Sequence, residues 1–194
     1  MSIHLILGGA RSGKSAYAEK LASETNLPVT YLATAQVYDD EFKARVQHHK
    51  NRRPSHWIIV EEPHFLSTIL GDALQANIHA PSGASENAPY KTSHVKEFII
   101  IDFLTLWLEQ CICPDCAPKQ GVDWAEQRAK FLAILPTLDA EIILVSNEVG
   151  MGIVPLGEIN RQFQDEQGRL NQSIAAIADK VTFVAAGLPL TLKG

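Results

Sequence analysis

The chain has 194 residues, a length that suits one domain with a sizeable hydrophobic core. Its net charge of -5 at pH 7 excludes a protein that binds nucleic acid over its whole surface, so any basic patch must be local. No apolar run approaches the length of a membrane span, and the start, MSIHLILGG, lacks the basic region of a signal peptide. We therefore expect a cytoplasmic protein with no membrane span and no nucleic-acid partner.

Short apolar runs rich in β-branched residues alternate with helical patterns along the chain. Most of the runs lack polar alternation, which is typical of strands covered on both faces. This order predicts an α/β fold, in which helices cover both faces of a mostly parallel sheet, in a single domain over 1–194. The predicted strands are 3–7, 29–33, 57–61, 98–102, 142–146 and 181–185, and the predicted helices are about 14–25, 39–53, 64–77, 103–112, 123–138 and 157–179.

One segment, residues 77–96, breaks the alternation. It is rich in Pro, Ser, Ala and Asn and has no apolar period. This composition predicts a long flexible surface insertion that carries no chemistry.

The three cysteines, Cys111, Cys113 and Cys116, lie together in CICPDC. An odd, clustered set does not form a disulfide framework, and no fourth metal ligand lies nearby in sequence. We interpret them as reduced cysteines, with a structural metal site as the alternative.

The stretch GGARSGKS follows the first predicted strand and fits the pattern G-x-x-x-x-G-K-[ST]. In that pattern backbone N–H groups surround phosphate oxygens, the lysine reaches the β and γ phosphates, and the hydroxyl ligates Mg²⁺. A helix that begins at the lysine adds the positive end of its dipole. The motif predicts a RecA-like P-loop NTPase fold that binds a nucleoside triphosphate. Its residues are Gly8, Gly9, Ala10, Arg11, Ser12, Gly13, Lys14 and Ser15.

Polar residues follow the other predicted strands, at the edge where open α/β sheets bind ligands. Asp102 closes an apolar strand, the arrangement in which a carboxylate holds Mg²⁺ together with the loop hydroxyl of Ser15. The alternative for Asp102 is a helix N-cap. Glu61 is either functional or a solvated strand end. Asn147 ends another strand, without a chemistry that we can assign.

Two adjacent histidines lie in the basic run ARVQHHKNRRP. On a helix that begins near residue 39, His49 shares a stripe with Phe42 and Val46, whereas His48 lies toward the polar side. Adjacent histidines point apart on a helix, which argues against chelation of one metal ion. His49 is therefore either a nucleophile toward a phosphate, flanked by cations, or a partly buried histidine at a helix–sheet contact.

Four segments in order, GGARSGKS, YLATAQ, DDEFKARVQHHKNRRPSHWIIVEEP and NEVGMGIVP, resemble one known family. It is the bifunctional adenosylcobinamide kinase / adenosylcobinamide-phosphate guanylyltransferase family of cobalamin biosynthesis. The resemblance covers nearly the whole chain outside 77–96 and CICPDC. It implies two activities, a kinase that uses ATP or GTP and a guanylyltransferase that uses GTP, with Mg²⁺ as the cofactor and a corrinoid as the substrate.

The resemblance also implies roles for particular residues. The family pattern R-[IV]-x-x-H-[KR] matches residues 45–50 and places the histidine that accepts GMP at His49. The same phosphate loop, with Lys14, would serve both transfers. The family is typically trimeric, which implies a homo-oligomer. Besides the loop, the implied nucleotide-binding residues are Ala33, Thr34, Ala35, Lys50, Asn51, Arg52, Arg53, Glu61 and Asp102, with Ser15 and Asp102 also at the metal.

Two other functions remain open. A monofunctional small-molecule P-loop kinase would share every feature except the covalent histidine. A RecA-like NTP-driven switch would share the sheet and the phosphate loop, but a nucleic-acid motor needs a polymer-binding surface that a net charge of -5 does not favour.

Overall fold

A computed structural model describes residues 1–35, 53–76, 96–113 and 121–194. The predicted helix at 39–53 lies outside these residues except for Arg53, and the predicted insertion at 77–96 lies outside them except for Lys96. The strands are β1 (Ser2–Gly8), β2 (Val29–Ala33), β3 (Ile58–Glu61), β4 (Glu97–Asp102), β5 (Ala140–Asn147), β6 (Lys180–Ala185) and β7 (Leu188–Lys193). The helices are α1 (Lys14–Ser23), α2 (Leu66–Ala76), α3 (Leu104–Ile112), α4 (Trp124–Ile134) and α5 (Glu158–Ile177).

The seven strands form one sheet in the order β3-β2-β4-β5-β1-β6-β7. All neighbours pair in parallel except β6 and β7, which are antiparallel. The prediction of a mostly parallel sheet is therefore confirmed. One strand, β5, separates β1, which leads into the phosphate loop, from β4, which ends at Asp102.

Side chains that alternate along each strand pack into two hydrophobic clusters, one on each face of the sheet. On β4, Phe98 and Ile100 pack on the face that α1 covers, together with Ala18 and Ala22. Side chains of α2, α3, α4 and α5 join Ile99 and its neighbours in the larger cluster on the opposite face. Helices therefore cover both faces, as predicted. Asp102 follows Phe98 and Ile100 at alternate positions of β4, so it lies on the face that α1 covers.

Local sequence explains where α4 begins and ends. The side chain of Asp123 accepts a hydrogen bond from the backbone N–H of Glu126 and caps the first turn. The predicted helix over 123–138 ends earlier, at Ile134, and continues as a 3₁₀ turn over Leu135–Thr137. Pro136 lies in that turn, where its missing N–H cannot continue the α-helical pattern.

Strand β7 is absent from the sequence-based prediction. All six of its residues are exposed, so no buried face of the strand shaped its sequence pattern, and Pro189 argues against a strand. It forms because Ala186 and Gly187, with φ angles of 51° and 79°, make a two-residue turn that returns the chain along β6. Among the described helices, none combines the length and the apolar character that crossing a membrane requires.

Candidate active site

The phosphate loop joins β1 to α1 through a tight backbone path. Arg11 and Gly13 have φ angles of 57° and 96°, and the N–H of Ser12 donates to the carbonyl oxygen of Gly9 at 3.2 Å. A Cβ on Gly8 would lie 2.5 Å from both the Ser12 hydroxyl oxygen and the Val184 carbonyl oxygen, so only glycine fits there. The predicted strand–loop–helix context of the motif is confirmed.

The ammonium group of Lys14 lies at this loop. Its Nζ donates to the carbonyl oxygen of Gly9 at 3.1 Å and lies 5.8 Å from the centre of the Phe103 ring. Burial lowers the pKa of Lys14, and the charge of Asp102 opposes that shift. Since an ammonium carries three donors, two remain for phosphate oxygens after the contact with Gly9.

Asp102 lies at the end of β4 and is buried. Its Oδ1 accepts a hydrogen bond from the Ser15 hydroxyl at 3.1 Å, and its Oδ2 accepts one from the hydroxyl of Tyr31. The alternative reading of Asp102 as a helix N-cap is wrong, because Phe103 is the N-cap of α3, while the oxygens of Asp102 accept from Ser15 and Tyr31. The structure thus brings the predicted Ser15–Asp102 pair together.

Thr34 fixes the end of β2 against the end of β4. Its hydroxyl accepts from the Phe103 N–H at 3.0 Å and donates to the Phe103 carbonyl oxygen at 2.8 Å. The carbonyl oxygen of Thr34 accepts from Nε2 of Gln110 at 2.8 Å. Ala33, Thr34 and Ala35 therefore lie beside Asp102 at the carboxyl edge of the sheet, where a nucleotide contact stays a prediction.

Two adjacent glutamates, the last residue of β3 and the residue after it, have different surroundings. Glu61 is exposed and pairs in register with Ala33 on β2. Glu62 accepts hydrogen bonds from the N–H groups of His64 and Phe65, both at 2.8 Å, at the approach to α2. Glu62 therefore has a capping role, while the predicted contact between Glu61 and nucleotide remains a prediction.

The described part of the basic run begins at Arg53. Its guanidinium carbon lies 3.6 Å from the centre of the Tyr31 ring, on the same side of the sheet as Asp102. Arg53, the last basic residue of the run, therefore lies over a ring whose hydroxyl bonds Asp102, beside the phosphate loop. The other predicted residues of the run, His49, Lys50, Asn51 and Arg52, lie outside the described residues.

The end of β5 is held by a buried polar network that the sequence analysis missed. The backbone oxygen of Asn147 accepts from Nδ2 of Asn171 at 3.0 Å, and its N–H donates to the Thr105 hydroxyl at 2.9 Å. Gln167 lies one turn before Asn171 on α5 and donates to the hydroxyl of Ser146 at 2.9 Å. The sequence feature that could have predicted this network is the pair Gln167 and Asn171, two amides four residues apart beside the apolar stripe of Leu170 and Ile174.

This network positions the chain directly beside the phosphate loop. Asn147 pairs in register with Gly8, and the N–H of Glu148 donates to the carbonyl oxygen of Gly8 at 3.2 Å. The segment NEVGMGIVP therefore begins at the loop, as expected for a motif at the rim of the ligand crevice.

Two of the three cysteines lie in the described part of the chain, as free thiols. Cys111 is buried, and burial raises its pKa to about 12, which keeps the thiol protonated and unreactive. Within the described ranges, no three His, Cys, Asp or Glu side chains cluster as metal ligands. Cys116 lies outside those ranges.

Comparison with solved structures supports the fold. An ATPase from the type III secretion system of pathogenic bacteria aligns over 98% of this chain with a TM-score of 0.51 at 11% sequence identity. The chain spans 56% of that ATPase's length. At this identity the likeness shows the fold alone, a RecA-like P-loop sheet.

Comparison with known sequences identifies the family. The bifunctional adenosylcobalamin biosynthesis protein CobP of Pseudomonas aeruginosa is 44% identical over 98% of this chain and 96% of its own length. The CobU proteins of Salmonella typhimurium and Escherichia coli are 36% and 32% identical over 97% of this chain and 98% of their own. The model of the cobinamide kinase / cobinamide phosphate guanyltransferase family matches residues 4–80 and 77–192. The chain therefore belongs to this family.

Proposed function

We propose that this protein phosphorylates adenosylcobinamide with ATP or GTP and then transfers GMP from GTP to adenosylcobinamide phosphate, giving adenosylcobinamide-GDP. The observation that carries the proposal is the Ser15–Asp102 hydrogen bond next to the Lys14 ammonium, inside a chain of this family. Both transfers require the negative charge of a triphosphate to be held while a P–O bond breaks, and this cluster has the groups for that task.

The kinase step relies on positioning rather than on covalent help. The backbone of residues 8–15 surrounds the phosphates, and Lys14 stabilises the charge that develops on the transferred group. A hydroxyl of adenosylcobinamide attacks the γ-phosphorus, the bond to the β-phosphate oxygen breaks, and the nucleoside diphosphate leaves. The hydroxyl proton passes to solvent or to a nearby base.

The residues at the loop fit Mg²⁺. The Ser15 hydroxyl and the Asp102 carboxylate are oxygen ligands 3.1 Å apart, and Mg²⁺ in nucleotide sites commonly takes one or two protein oxygens beside phosphates and water. Ser15 and Asp102 would therefore hold the ion, directly or through water. When bound, Mg²⁺ supplies positive charge to the phosphate oxygens.

We propose that the guanylyl transfer proceeds through His49. A neutral imidazole nitrogen attacks the α-phosphorus of GTP, the bond to the β-phosphate oxygen breaks, and pyrophosphate leaves. An oxygen of adenosylcobinamide phosphate then attacks the same phosphorus, and the P–N bond to His49 breaks. The position of Arg53 supports this step, because Arg53, four residues after His49, lies over the ring of Tyr31, whose hydroxyl bonds Asp102 at the phosphate loop.

We also propose that the protein is a homo-oligomer, a trimer by its family. Large exposed apolar side chains of the described surface are concentrated in two short segments, 151–156 and 188–192, which offer apolar area for contact with another copy of the chain. They include Met151, Ile153, Leu156, Leu188 and Leu190. Size-exclusion chromatography with light scattering tests this proposal, and a mass of one chain would contradict it.

Labelled GTP tests the function. The protein is incubated with GTP labelled at the α or the γ phosphate, first alone and then with adenosylcobinamide. We expect acid-labile, base-stable label on the protein from α-labelled GTP alone, and γ label in adenosylcobinamide phosphate. Transfer of the γ label without any α-labelled protein would instead indicate a monofunctional kinase. Hydrolysis without transfer of either label would indicate an NTP-driven switch.

A further inference from the structure

Tyr31 lies on β2, next to the strand that ends at Asp102. Tyr31 pairs in register with Ile100, so Asp102 is its diagonal neighbour on the same face of the sheet. The Tyr31 side chain is completely buried, and its hydroxyl donates to Oδ2 of Asp102. Because the Ser15 hydroxyl donates to Oδ1, the two oxygens of the carboxylate have different partners.

The ring of Tyr31 makes two further contacts. It stacks on Trp57 with ring centres 6.3 Å apart and planes 22° from parallel, and the Arg53 guanidinium lies 3.6 Å from the ring centre. A phenylalanine would make the same ring contacts, so packing alone does not explain a hydroxyl in a buried place. That hydroxyl costs free energy unless it is hydrogen-bonded, and Asp102 is its partner.

The Tyr31 hydroxyl keeps its proton at neutral pH, since an ordinary phenol has a pKa of about 10. Burial first, and the charge of Asp102 second, raise the pKa of Tyr31 well above its ordinary value, while Arg53 opposes the shift. The charge of Glu19 on α1 raises this pKa further. The contact is therefore an O–H group that donates to a carboxylate, a charge-assisted hydrogen bond.

We propose that Tyr31 is a positioning residue that fixes the orientation of the Asp102 carboxylate at the phosphate loop. The terminal torsion of an aspartate is soft, so an unrestrained carboxylate rotates over a broad range. With Oδ2 bound to the Tyr31 hydroxyl, Oδ1 stays beside Ser15, where the proposed function needs a metal-binding oxygen. This inference rests on that proposed function, because the orientation matters only if Asp102 assists the binding of Mg²⁺ with the triphosphate.

The consequence is a change in the Mg²⁺ dependence of nucleotide binding. Removing a group that orients a metal ligand typically weakens metal binding on the order of tenfold or more. Tyr31→Phe should therefore lower, by about tenfold, the ratio of GTP affinity with Mg²⁺ to GTP affinity with EDTA. The affinity measured in EDTA should change little, because the backbone of the loop and Lys14 remain.

The experiment measures this ratio with a fluorescent GTP analogue, in the presence of Mg²⁺ or EDTA, for four proteins. They are the wild type, Tyr31→Phe, Asp102→Asn and the control Thr182→Val. Thr182 has a buried hydroxyl that hydrogen-bonds His4 at 2.8 Å on β6, so its substitution also removes a buried hydroxyl but does not touch Asp102. The control should keep the wild-type ratio.

Different outcomes contradict different claims. If Asp102→Asn loses the Mg²⁺ effect and Tyr31→Phe keeps it, the positioning role is wrong while the proposed function stands. If Asp102→Asn keeps the effect, the proposed metal role of Asp102 fails, and the positioning role with it. An equal loss in Thr182→Val would show general destabilisation, which also overturns the positioning role.

A second variant tests the same contacts should Tyr31→Phe not fold. Arg53→Lys keeps the positive charge but loses the planar group that lies on the Tyr31 ring. The ratio of its GTP affinities with Mg²⁺ and with EDTA should fall about threefold, the change expected from the loss of a modest cation–π contact. A wild-type ratio in Arg53→Lys would contradict the claim that the position of the Tyr31 ring, and with it the orientation of Asp102, affects Mg²⁺ binding.

Discussion

The backbone N–H of Gly187 donates a 2.8 Å hydrogen bond to the carbonyl oxygen of Ser12. The turn between β6 and β7 therefore supports the phosphate loop. The contact is close, since a Cβ on Gly13 would lie 3.1 Å from the Cα of Gly187. A hairpin at the end of the chain thus helps to shape a loop near its start.

A substitution at Gly187 should weaken nucleotide binding as well as stability. Its φ of 79° is unfavourable for alanine, at a cost of about 1 kcal/mol, although a Cβ there would meet no neighbouring atom of the described residues. Gly121→Ala is the matched control, because Gly121 has a φ of 64°, no described atom near an added Cβ and a position outside the loop and the hairpin. Thermal unfolding should show similar losses for both variants, and titration with fluorescent GTP should show weaker binding only for Gly187→Ala. Equal GTP affinities would contradict the supporting role of the turn.

Loss of the Lys14 ammonium should depress both activities. Removing one group that stabilises transition-state charge typically costs on the order of a hundredfold or more in rate. Lys14→Ala is measured in both the kinase and the guanylyl-transfer assay, with Lys20→Ala as the control. Lys20 lies on the same helix, is exposed and pairs only with Glu24 at 3.8 Å among its described ion-pair partners, so its loss should leave both rates nearly unchanged. Wild-type turnover of Lys14→Ala in either assay would show that the two reactions do not share this loop.

Acid should destabilise the protein partly through His64. This side chain is buried, and its Nε2 has no hydrogen-bond partner in the part of the chain that the structure describes. Burial lowers its pKa, against the opposing charge of Glu62. Because the folded-state pKa lies below the unfolded value of about 6.5, the unfolded state binds more protons, and stability falls as the pH drops below that value.

His64→Gln should therefore flatten the dependence of the melting temperature on pH between about pH 8 and 5. It should not abolish the dependence, since burial lowers the pKa of His4 as well. His56 is exposed, and His56→Gln serves as the control with a wild-type slope. A slope in His64→Gln as steep as that of the wild type would rule out this contribution.

The sequence predicted the parts of the site that depend on chain order. Strand ends in a parallel sheet meet at one edge, so the phosphate loop and Asp102 could be placed together before their distance was known. The two oxygens of Ser15 and Asp102 indeed lie 3.1 Å apart. The residues that orient this pair were not predicted. In the sequence, Tyr31 looks like any other residue of a buried, apolar strand. It becomes a neighbour of Asp102 only through the register of β2 against β4, which no sequence pattern indicates.

The hairpin was missed for a different physical reason. A strand exposed along its whole length has no burial pattern, and Leu188–Lys193 becomes a strand only by pairing with β6. Its contact with the loop depends on two residues with positive φ, Ala186 and Gly187. An alanine does not predict such a conformation, because the left-handed region is energetically unfavourable for it.

The covalent role of His49 is the central claim, and the two neighbouring histidines provide its most direct test. His49 shares the predicted helix stripe with Phe42 and Val46, whereas His48 lies off it. After incubation with α-labelled GTP, the wild type and His48→Ala should carry labelled GMP on the protein, and His49→Ala should carry none. His49→Ala should still phosphorylate adenosylcobinamide, because that step needs the phosphate loop and not the histidine. Label retained on His49→Ala and lost from His48→Ala would contradict the assignment of the nucleophile.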